Sequence, residues 1–540
     1  MKQIDVGKLV VSPFAFESIL EMRIVKRLNE HDTLYVRGIV KDDEQFTPVN
    51  DMAAGTSVVC ENDGQVYFSG VLKSVKEKCR DNVYCLEAYA VSNTMLLDTV
   101  KYKRSFQDNA QTYKSIVESV IKDNSASVTY NAQELTVENI ILQYDETDWE
   151  FAKRLASHTE DVLIPITGDK PAFHFGATDN GGAKVETNNI DISKEFVRVL
   201  SEGGPQEVKE VCLCCVETDE FICELGEKFN VNGADYYACE ISLSYVDSAL
   251  TVAYTLSDKA AISTSKYYNP AIIGLLLNGT VLKVENDNVK LHLAIDDEQD
   301  EGKAHLFKYA TGYSTEGTTG WYVMPEDGDT VQLLFPNEDE KFAYAASSVR
   351  QADVEKQENV GGGTGDPASK FLRTSTGKEI KLDGEEILIT AEDGTTFMQI
   401  NMGTGVVIGT PHPILINSET ATINIESLDD MTLKTTKNLL IKADEPITIE
   451  NAGNKMEFIP ADGISMNTDK NIKLNSDLDT SIESVKEMSI KSGKDMTIES
   501  ATKIAESAQV QIDIVAASSS SIVMKSSGID IKGTLIKENS

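Results

Sequence analysis

Positive charge is what this 540-residue sequence most lacks: 50 Lys and Arg stand against 87 Asp and Glu, a net charge of −37. That balance disfavours nucleic acid and anionic lipid as partners and favours solubility. Cysteine is sparse too, and eight in this length make no disulfide scaffold. Cys212, Cys214 and Cys215 crowd into EVCLCCVETDEFIC, but without the paired C-x₂₋₄-C spacing or histidines of a thiolate metal site. The alternation around Val211, Leu213 and Val216 predicts a buried strand there instead. The six histidines (His31, His158, His174, His292, His305, His412) lack metal or triad spacing and are expected at surface or strand positions. No window approaches eighteen uninterrupted apolar residues, so no helical membrane span is expected. The opening MKQIDVGKLVVSPFAF has no continuous apolar core, so neither is a signal peptide. Assembly in the cytoplasm is expected, with another machine carrying the protein out if it leaves. No cofactor and no metal are expected.

What the sequence does carry is a repeat. The stretch MSIKSGKDMTIESATKIAESAQVQIDIV (488–515) places an apolar residue at every eighth position: Met488, Met496, Ile504 and Ile512. A second usually follows two places on, as Ile490, Ile498 and Ile514. Upstream the frame holds through Ile423, Met431, Leu439 and Ile447. It shifts by one residue, then resumes at Met456, Ile464 and Ile472, with Met466 and Leu474 as partners. Thr480 and Glu506 are the misfits. Apolar–polar–apolar is a short strand with one buried face. The fifth position is small or polar (Thr435, Ala443, Ser476, Ser484, Ser492, Ser500, Ala516), and the eighth is often Asp or Asn (Asp430, Asn438, Asn471, Asp479, Asp495), a turn-closing type. Each unit therefore reads as a strand and a tight corner.

A single chain cannot wind this into a stable coil. Calcium-binding nonapeptide coils need GGxGxD units, which are absent, and two apolar side chains per unit do not offset the ordering of eight residues. Three identical chains about one axis supply a continuous hydrogen-bond ladder and a core sealed on every side. The expectation is an obligate trimeric, triple-stranded β-helix whose dry column contains Ile464, Met466, Ile472, Leu474, Met488, Ile490, Met496, Ile498, Ile512 and Ile514. At roughly 5 Å of rise per unit, such a shaft is several nanometres long, without lateral edges, and stiff.

Residues 270–350 read as a small barrel, with strand-like GTVLKV (279–284) and VKLHLAI (289–295) ahead of the long loop TGYSTEGTTG. After that loop come Trp321, Met324, Pro325, Gly328, Asp329, Val331, Leu333 and Phe335, in the order aromatic, apolar, Pro, two residues, Gly-Asp, strand, Phe. This run resembles the oligonucleotide/oligosaccharide-binding (OB-fold) barrel of VgrG, the type VI secretion spike, and of phage central spikes. Gly328 and Asp329 fit a tight turn, and Trp321 is expected to plug the barrel core. RSFQDNAQTYKSIVESVI (104–121) is similar to the family's Arg-x-Phe-Gln segment entering a helix, with Ile116, Val117, Val120 and Ile121 as its apolar stripe. QYDETDWEFAKRLA (143–156) is similar to another family stretch. There Thr147 or Asp148 can cap a helix bearing Trp149, Ala152 and Leu155, and a capping role is expected for Asp145, Glu146 and Asp148 rather than catalysis. FLRTSTGKEI resembles the opening of the family's β-prism, with Lys378 where many relatives carry His, so no ligand is assigned there.

The resemblance implies a mainly β chain. A phage-hub-like double β-barrel with short helices spans 1–265, an OB-fold barrel 266–350, a Gly-rich linker 351–370, and a β-prism and trimeric β-helix spike 371–540. It implies a homotrimer that caps an Hcp-like inner tube protein, meets baseplate proteins, carries effectors and pierces a target envelope. GIDIKGTLIKENS (528–540), with Ile529, Ile531, Leu535 and Ile536, is the expected platform for a PAAR-type tip protein that adds strands to open edges. No enzyme is expected, because the interval before the shaft is only a linker and the chain ends soon after the repeat. The competing readings are a trimeric tail fibre or adhesin, and a spike with a peptidoglycan-hydrolase role.

Overall fold

The strand Thr33–Val40 alternates half-buried and buried without a break, and the chain builds most of its first 260 residues from strands of this kind. The computed structural model describes residues 2–40, 49, 52–178, 181–187, 190–199, 207–314, 319–348, 368–374, 376–391, 395–452 and 454–506. They divide into two units, Met1–Pro411 and His412–Ser540.

In the first unit, β1 (Phe16–Arg27), β2 (Thr33–Val40), β3 (Ser57–Asn62), β4 (Gln65–Arg80) and β5 (Val83–Ser92) pair in the order β1-β2-β5-β4-β3. An insertion follows: β6 (Lys101–Phe106), α1 (Tyr113–Ile121), β7 (Ile141–Thr147) and α2 (Asp148–His158). Then β8 (Ile190–Val199), β9 (Glu207–Thr218), β10 (Lys228–Val231), β11 (Ala234–Val246) and β12 (Ala249–Ser257) pair in the order β8-β9-β12-β11-β10. The two modules share one connectivity. They even share an irregularity, a bulge between Leu72 and Ser74 in β4 and between Ala238 and Glu240 in β11. One joint holds them together: β1 pairs antiparallel with β11, from Glu21 opposite Val246 to Arg27 opposite Glu240. Met22, Ile24, Phe68, Phe229, Leu243 and Tyr254 from both modules close over a single core.

Both helices of the insertion start with reciprocal caps. Thr112 Oγ1 accepts from Ser115 N at 3.2 Å, and Thr147 Oγ1 accepts from Glu150 N at 3.1 Å while the Glu150 carboxylate accepts from Thr147 N at 3.0 Å. Each satisfies two of the orphan donors at a helix start. The stripe Ile116, Val117, Val120 and Ile121 packs against Trp149, Ala152 and Leu155, as the spacing predicts. The cysteine-rich run is strand β9, but its phase differs from expectation. Cys214 and Val216 face the core, whereas Val211 and Leu213 lie on the opposite, half-buried face.

Strands β13 (Leu276–Glu285), β14 (Asn288–Leu293), β15 (Leu306–Ala310), β16 (Thr330–Leu334) and β17 (Tyr344–Ser348) close a barrel in the order β13-β14-β15-β17-β16. Val281, Leu291, Leu293, Phe307, Val331, Leu333 and Phe335 fill it. Gly328, at φ 92°, takes the left-handed turn before β16, a conformation that glycine adopts without a Cβ clash. Farther along, β18 (Lys370–Arg373), β19 (Glu379–Leu382), β20 (Glu386–Thr390), β21 (Phe397–Asn401) and β22 (Gly405–Gly409) form an antiparallel meander. In the second unit, β23 (Ile447–Asn451), β24 (Asn454–Ile459) and β25 (Gly463–Asn467) form another. This last sheet corrects the reading of residues 447–467 as wound octads. The one-residue frame shift is a hairpin turn, with Ala452 at φ 46°, that reverses the chain.

Candidate assembly surfaces

Cross-strand register assigns every residue of the β18–β22 meander to a face. Leu372, Ile380, Ile389, Met398 and Ile408 stand in one row, and Leu382, Ile387, Ile400 and Val406 in the next, all on one side and all exposed. An open groove of about 530 Å³ runs over Leu372, Ile380, Ile389 and Met398. The other side holds an ion pair between Arg373 and Glu379, a hydrogen bond from Gln399 to Glu386, and Lys381 at 2.7 Å from Asp383. The β23–β25 sheet repeats this asymmetry, with Ile447, Phe458 and Ile464 in one row and Ile449, Met456 and Met466 beside it. An antiparallel sheet normally buries its apolar face. These two leave theirs in water.

The octads do the same. Residues 413–446 and 468–506 pair with no described strand. Ile472, Leu474, Met488, Ile490, Met496 and Ile498 are all exposed, Ile490 by 69% and Ile498 by 63%. Ile464 and Met466 are exposed as well, whereas Ile512, Ile514, Ile529, Ile531, Leu535 and Ile536 lie outside the described residues. The corners are nonetheless formed. Ser476 Oγ donates to Asp479 O at 3.1 Å, Ser484 Oγ to Glu487 O at 2.8 Å, and Ser492 Oγ to Asp495 O at 2.9 Å. Two of these hydroxyls also accept from the amide two residues on, Leu478 N to Ser476 Oγ and Lys494 N to Ser492 Oγ, both at 3.4 Å. Thr435, Thr468 and Ser500 accept alike, from Lys437, Lys470 and Thr502. At Ser427, Ser476, Ser484 and Ser492 the fifth-position hydroxyl closes the corner on the backbone carbonyl of the eighth residue. The sequence reading credited the eighth residue's type.

Trp321 is not a core plug. It is 68% exposed, its backbone N–H donates to Tyr313 O at 2.8 Å, and its ring lies over Gly312. Phe307 and Phe335 already occupy the barrel interior, and Pro325 is the buried member of the motif's first half. Asp329 holds the turn by accepting from Glu326 N at 2.8 Å.

Thr147 caps α2, and Asp145, Glu146 and Asp148 do not. Arg154 is fully buried and donates through Nε and Nη2 to both Glu146 oxygens at 2.8 Å, through Nη2 to Leu142 O at 2.8 Å, and through Nη1 to Glu340 Oε1 at 3.0 Å. Burial opposes its charge, but Glu340 and Glu146 together hold its pKa above the ordinary value. Asp148 accepts from Gln143 at 3.1 Å and from Arg104 at 3.2 Å, and burial raises its pKa. Because Glu340 belongs to the barrel, the network fastens barrel to insertion. Ser105 N to Asp296 Oδ1 at 2.8 Å, Gln107 Nε2 to Leu291 O at 3.2 Å, and Ile140 and Leu142 within the barrel's core cluster fasten it further. The family-like segments around Arg104–Gln107 and Gln143–Glu146 are thus the joint between two β domains. Arg154, Glu340 and Asp296 carried no local signal in the sequence. Among the described residues no group of three His, Cys, Asp or Glu could hold a metal, and no helix is long and apolar enough to cross a membrane.

No family model matches the chain, and no curated protein matches it. Solved structures do. The E. coli c3393 protein is described as a type VI secretion component with structural similarity to the T4 bacteriophage tail proteins gp27 and gp5. It is 12% identical with a TM-score of 0.46, covering 64% of this chain and 100% of that one. A Francisella PdpA-VgrG complex gives 8% identity and a TM-score of 0.47, covering 72% and 76%. The 43 kDa tail protein of prophage MuSo2 from Shewanella oneidensis gives 12% and 0.38, covering 48% and 98%. It is to hub-and-spike proteins of the VgrG and phage-tail kind that this chain is similar.

Proposed function

We propose that the chain is the trimeric spike of a contractile injection machine, a mechanical part rather than an enzyme. One observation carries this reading: among the described residues a period-eight series of apolar pairs stays exposed although the corners at Ser476, Ser484 and Ser492 are already formed. Contiguous apolar surface on this scale marks an interface. Three copies wound about one axis turn each series into one wall of a dry column and give its backbone groups partners. The bare apolar faces of the β18–β22 and β23–β25 sheets support the same arrangement, since each needs a cover and three copies supply it symmetrically. A closed shaft with polar faces outward resists bending and can be driven through an envelope.

In this reading the hub caps an Hcp-like inner tube among baseplate proteins, the C-terminal segment seats a PAAR-type tip, and effectors ride on the tip. Assembly precedes firing and takes place in the cytoplasm. Light scattering on the full chain is expected to give three times the 59.1 kDa chain mass, with the tube protein co-purifying. A lone chain with a folded C-terminal half would end the proposal. A trimer that binds glycan arrays and no tube protein would instead favour a fibre.

A further inference from the structure

The small barrel closes along a short seam. Tyr309 and Ala310 of β15 pair in parallel with Ala345 and Ala346 of β17. Before that point the two sides part, and an open groove of about 460 Å³ runs between residues 306–308 and residues 341–344. On its other side β15 is bonded throughout. Tyr309 N donates to Asp287 O at 2.9 Å, and the Gln107 side chain bridges His305 N, at 3.3 Å, and Leu291 O, at 3.2 Å. His305, Phe307 and Tyr309 thus turn their backbone groups toward β14. The alternation of an antiparallel ladder turns those of Leu306 and Lys308 toward the groove. Of these, the N–H and C=O of Leu306 and the N–H of Lys308 meet no strand among the described residues. An edge of this kind accepts an added strand.

The side chains around this edge select what can be added. Leu306 is 40% exposed and Phe342 50% exposed, and both line the groove, so an apolar step lies beside the open backbone groups. The charges in the lining are of one sign: Lys308 and Lys341 stand there, and no carboxylate does. Lys341 lies over the Phe342 ring at 4.7 Å and reaches Asp339 at 2.5 Å, whereas Lys308 has no carboxylate beside it in the groove. On a chain of net charge −37 this is a local reversal of sign. Charges beyond about 8 Å are largely screened at physiological salt, so a ligand in the groove meets the lysines rather than the distant acids. We infer that the groove binds an extended acidic segment of a partner protein, added as a strand along residues 306–308. Leu306 and Lys308 are two apart and share a face, so the matching pattern is apolar–x–acidic, the apolar side chain beside Leu306 and Phe342 and the carboxylate beside Lys308. Main-chain bonds supply affinity in such an addition and alternate side chains supply selection.

The groove lies within one chain, so the inference does not depend on how many copies assemble. Fluorescence anisotropy on the full chain tests it, with fluorescein-labelled Glu-Ser-Leu-Ser-Asp and Lys-Ser-Leu-Ser-Lys as probes. The acidic peptide should bind at least tenfold more tightly than the basic one. Lys308→Glu should reverse that preference, and Phe342→Ser should weaken the acidic peptide at least tenfold. In the free chain the amides of Leu306 and Lys308 should exchange with solvent faster than that of Phe307, and the acidic peptide should slow both. Equal binding of the two peptides, no binding of either, or an unchanged preference in Lys308→Glu would overturn the proposal. Slow exchange at Leu306 and Lys308 without peptide would overturn it as well, because another copy or another segment of this chain would then already fill the edge.

Discussion

Asp32 is buried with no hydrogen-bond partner for Oδ1, and burial, only partly relieved by Lys26, pushes its carboxyl up to about 7. An unfolded chain releases this proton near 3.8. Between those values the folded state holds a proton that the unfolded state has lost, so this group's contribution is present below pH 3.8 and lost as pH rises through 7. The loss is on the order of 3–4 kcal/mol across that window. Asp32→Asn removes the charge that must be buried. Its melting temperature should exceed the parent's at pH 8 and the difference should vanish near pH 4; a pH-independent loss would refute the assignment. Arg154 gives the opposite kind of case. Arg154→Met leaves the Glu340 and Glu146 carboxylates buried without their cation, a change that costs about 3–5 kcal/mol. Chemical denaturation should show that loss for the first unit, and an unchanged midpoint would mean that the network is not what joins barrel to insertion.

Among the elements, what the sequence reveals is what nearest neighbours decide. Alternation marks β2 and the barrel strands, and the 3.6-residue stripe marks α1, because each pattern answers to one local period. Gly328-Asp329 reads as a turn for the same reason. Trp321 misleads because large aromatics usually sit inside, and nothing nearby in sequence says that Phe307 and Phe335 already fill the barrel. The joint from Arg154 to Glu340 spans 186 residues and leaves no periodic trace. The corners fall between these extremes: the polar fifth position is visible, but its role appears only once its hydroxyl is seen bonded on both sides. Removing three of them, as Ser476, Ser484 and Ser492 to Ala, deletes two side-chain hydrogen bonds at Ser476 and at Ser492 and one at Ser484, each worth roughly 0.5–1.5 kcal/mol. In the proposed trimer three chains would share the shaft, so the assembled particle should lose thermal stability several-fold more than an isolated substitution suggests, with melting of the N-terminal β modules unchanged. Equal loss in hub and shaft would reject the corner assignment.

At the scale of the whole molecule, the large N-terminal sheet ends in β8, which exposes Ile192 and Phe196, and the described octads leave their apolar pairs exposed. Both are surfaces that the proposed trimer would complete, and the octads test this most sharply. Ile490 and Ile498 are the third-position residues of consecutive octads, bounded by corners at Ser484, Ser492 and Ser500. In an isolated chain both are exposed, so Asp at either position would cost almost nothing. In a trimer the same pair of substitutions places six carboxylates in a column without counter-charges, and burying unpaired charge is among the most expensive changes a core can suffer. Ile490→Asp with Ile498→Asp should therefore leave the hub and barrel folded and abolish the trimer in light scattering, whereas Ile490→Val with Ile498→Val should retain it with a lower melting temperature. Intact trimers of unchanged stability in the Asp variant would place these side chains outside the column and remove the basis for a rigid shaft.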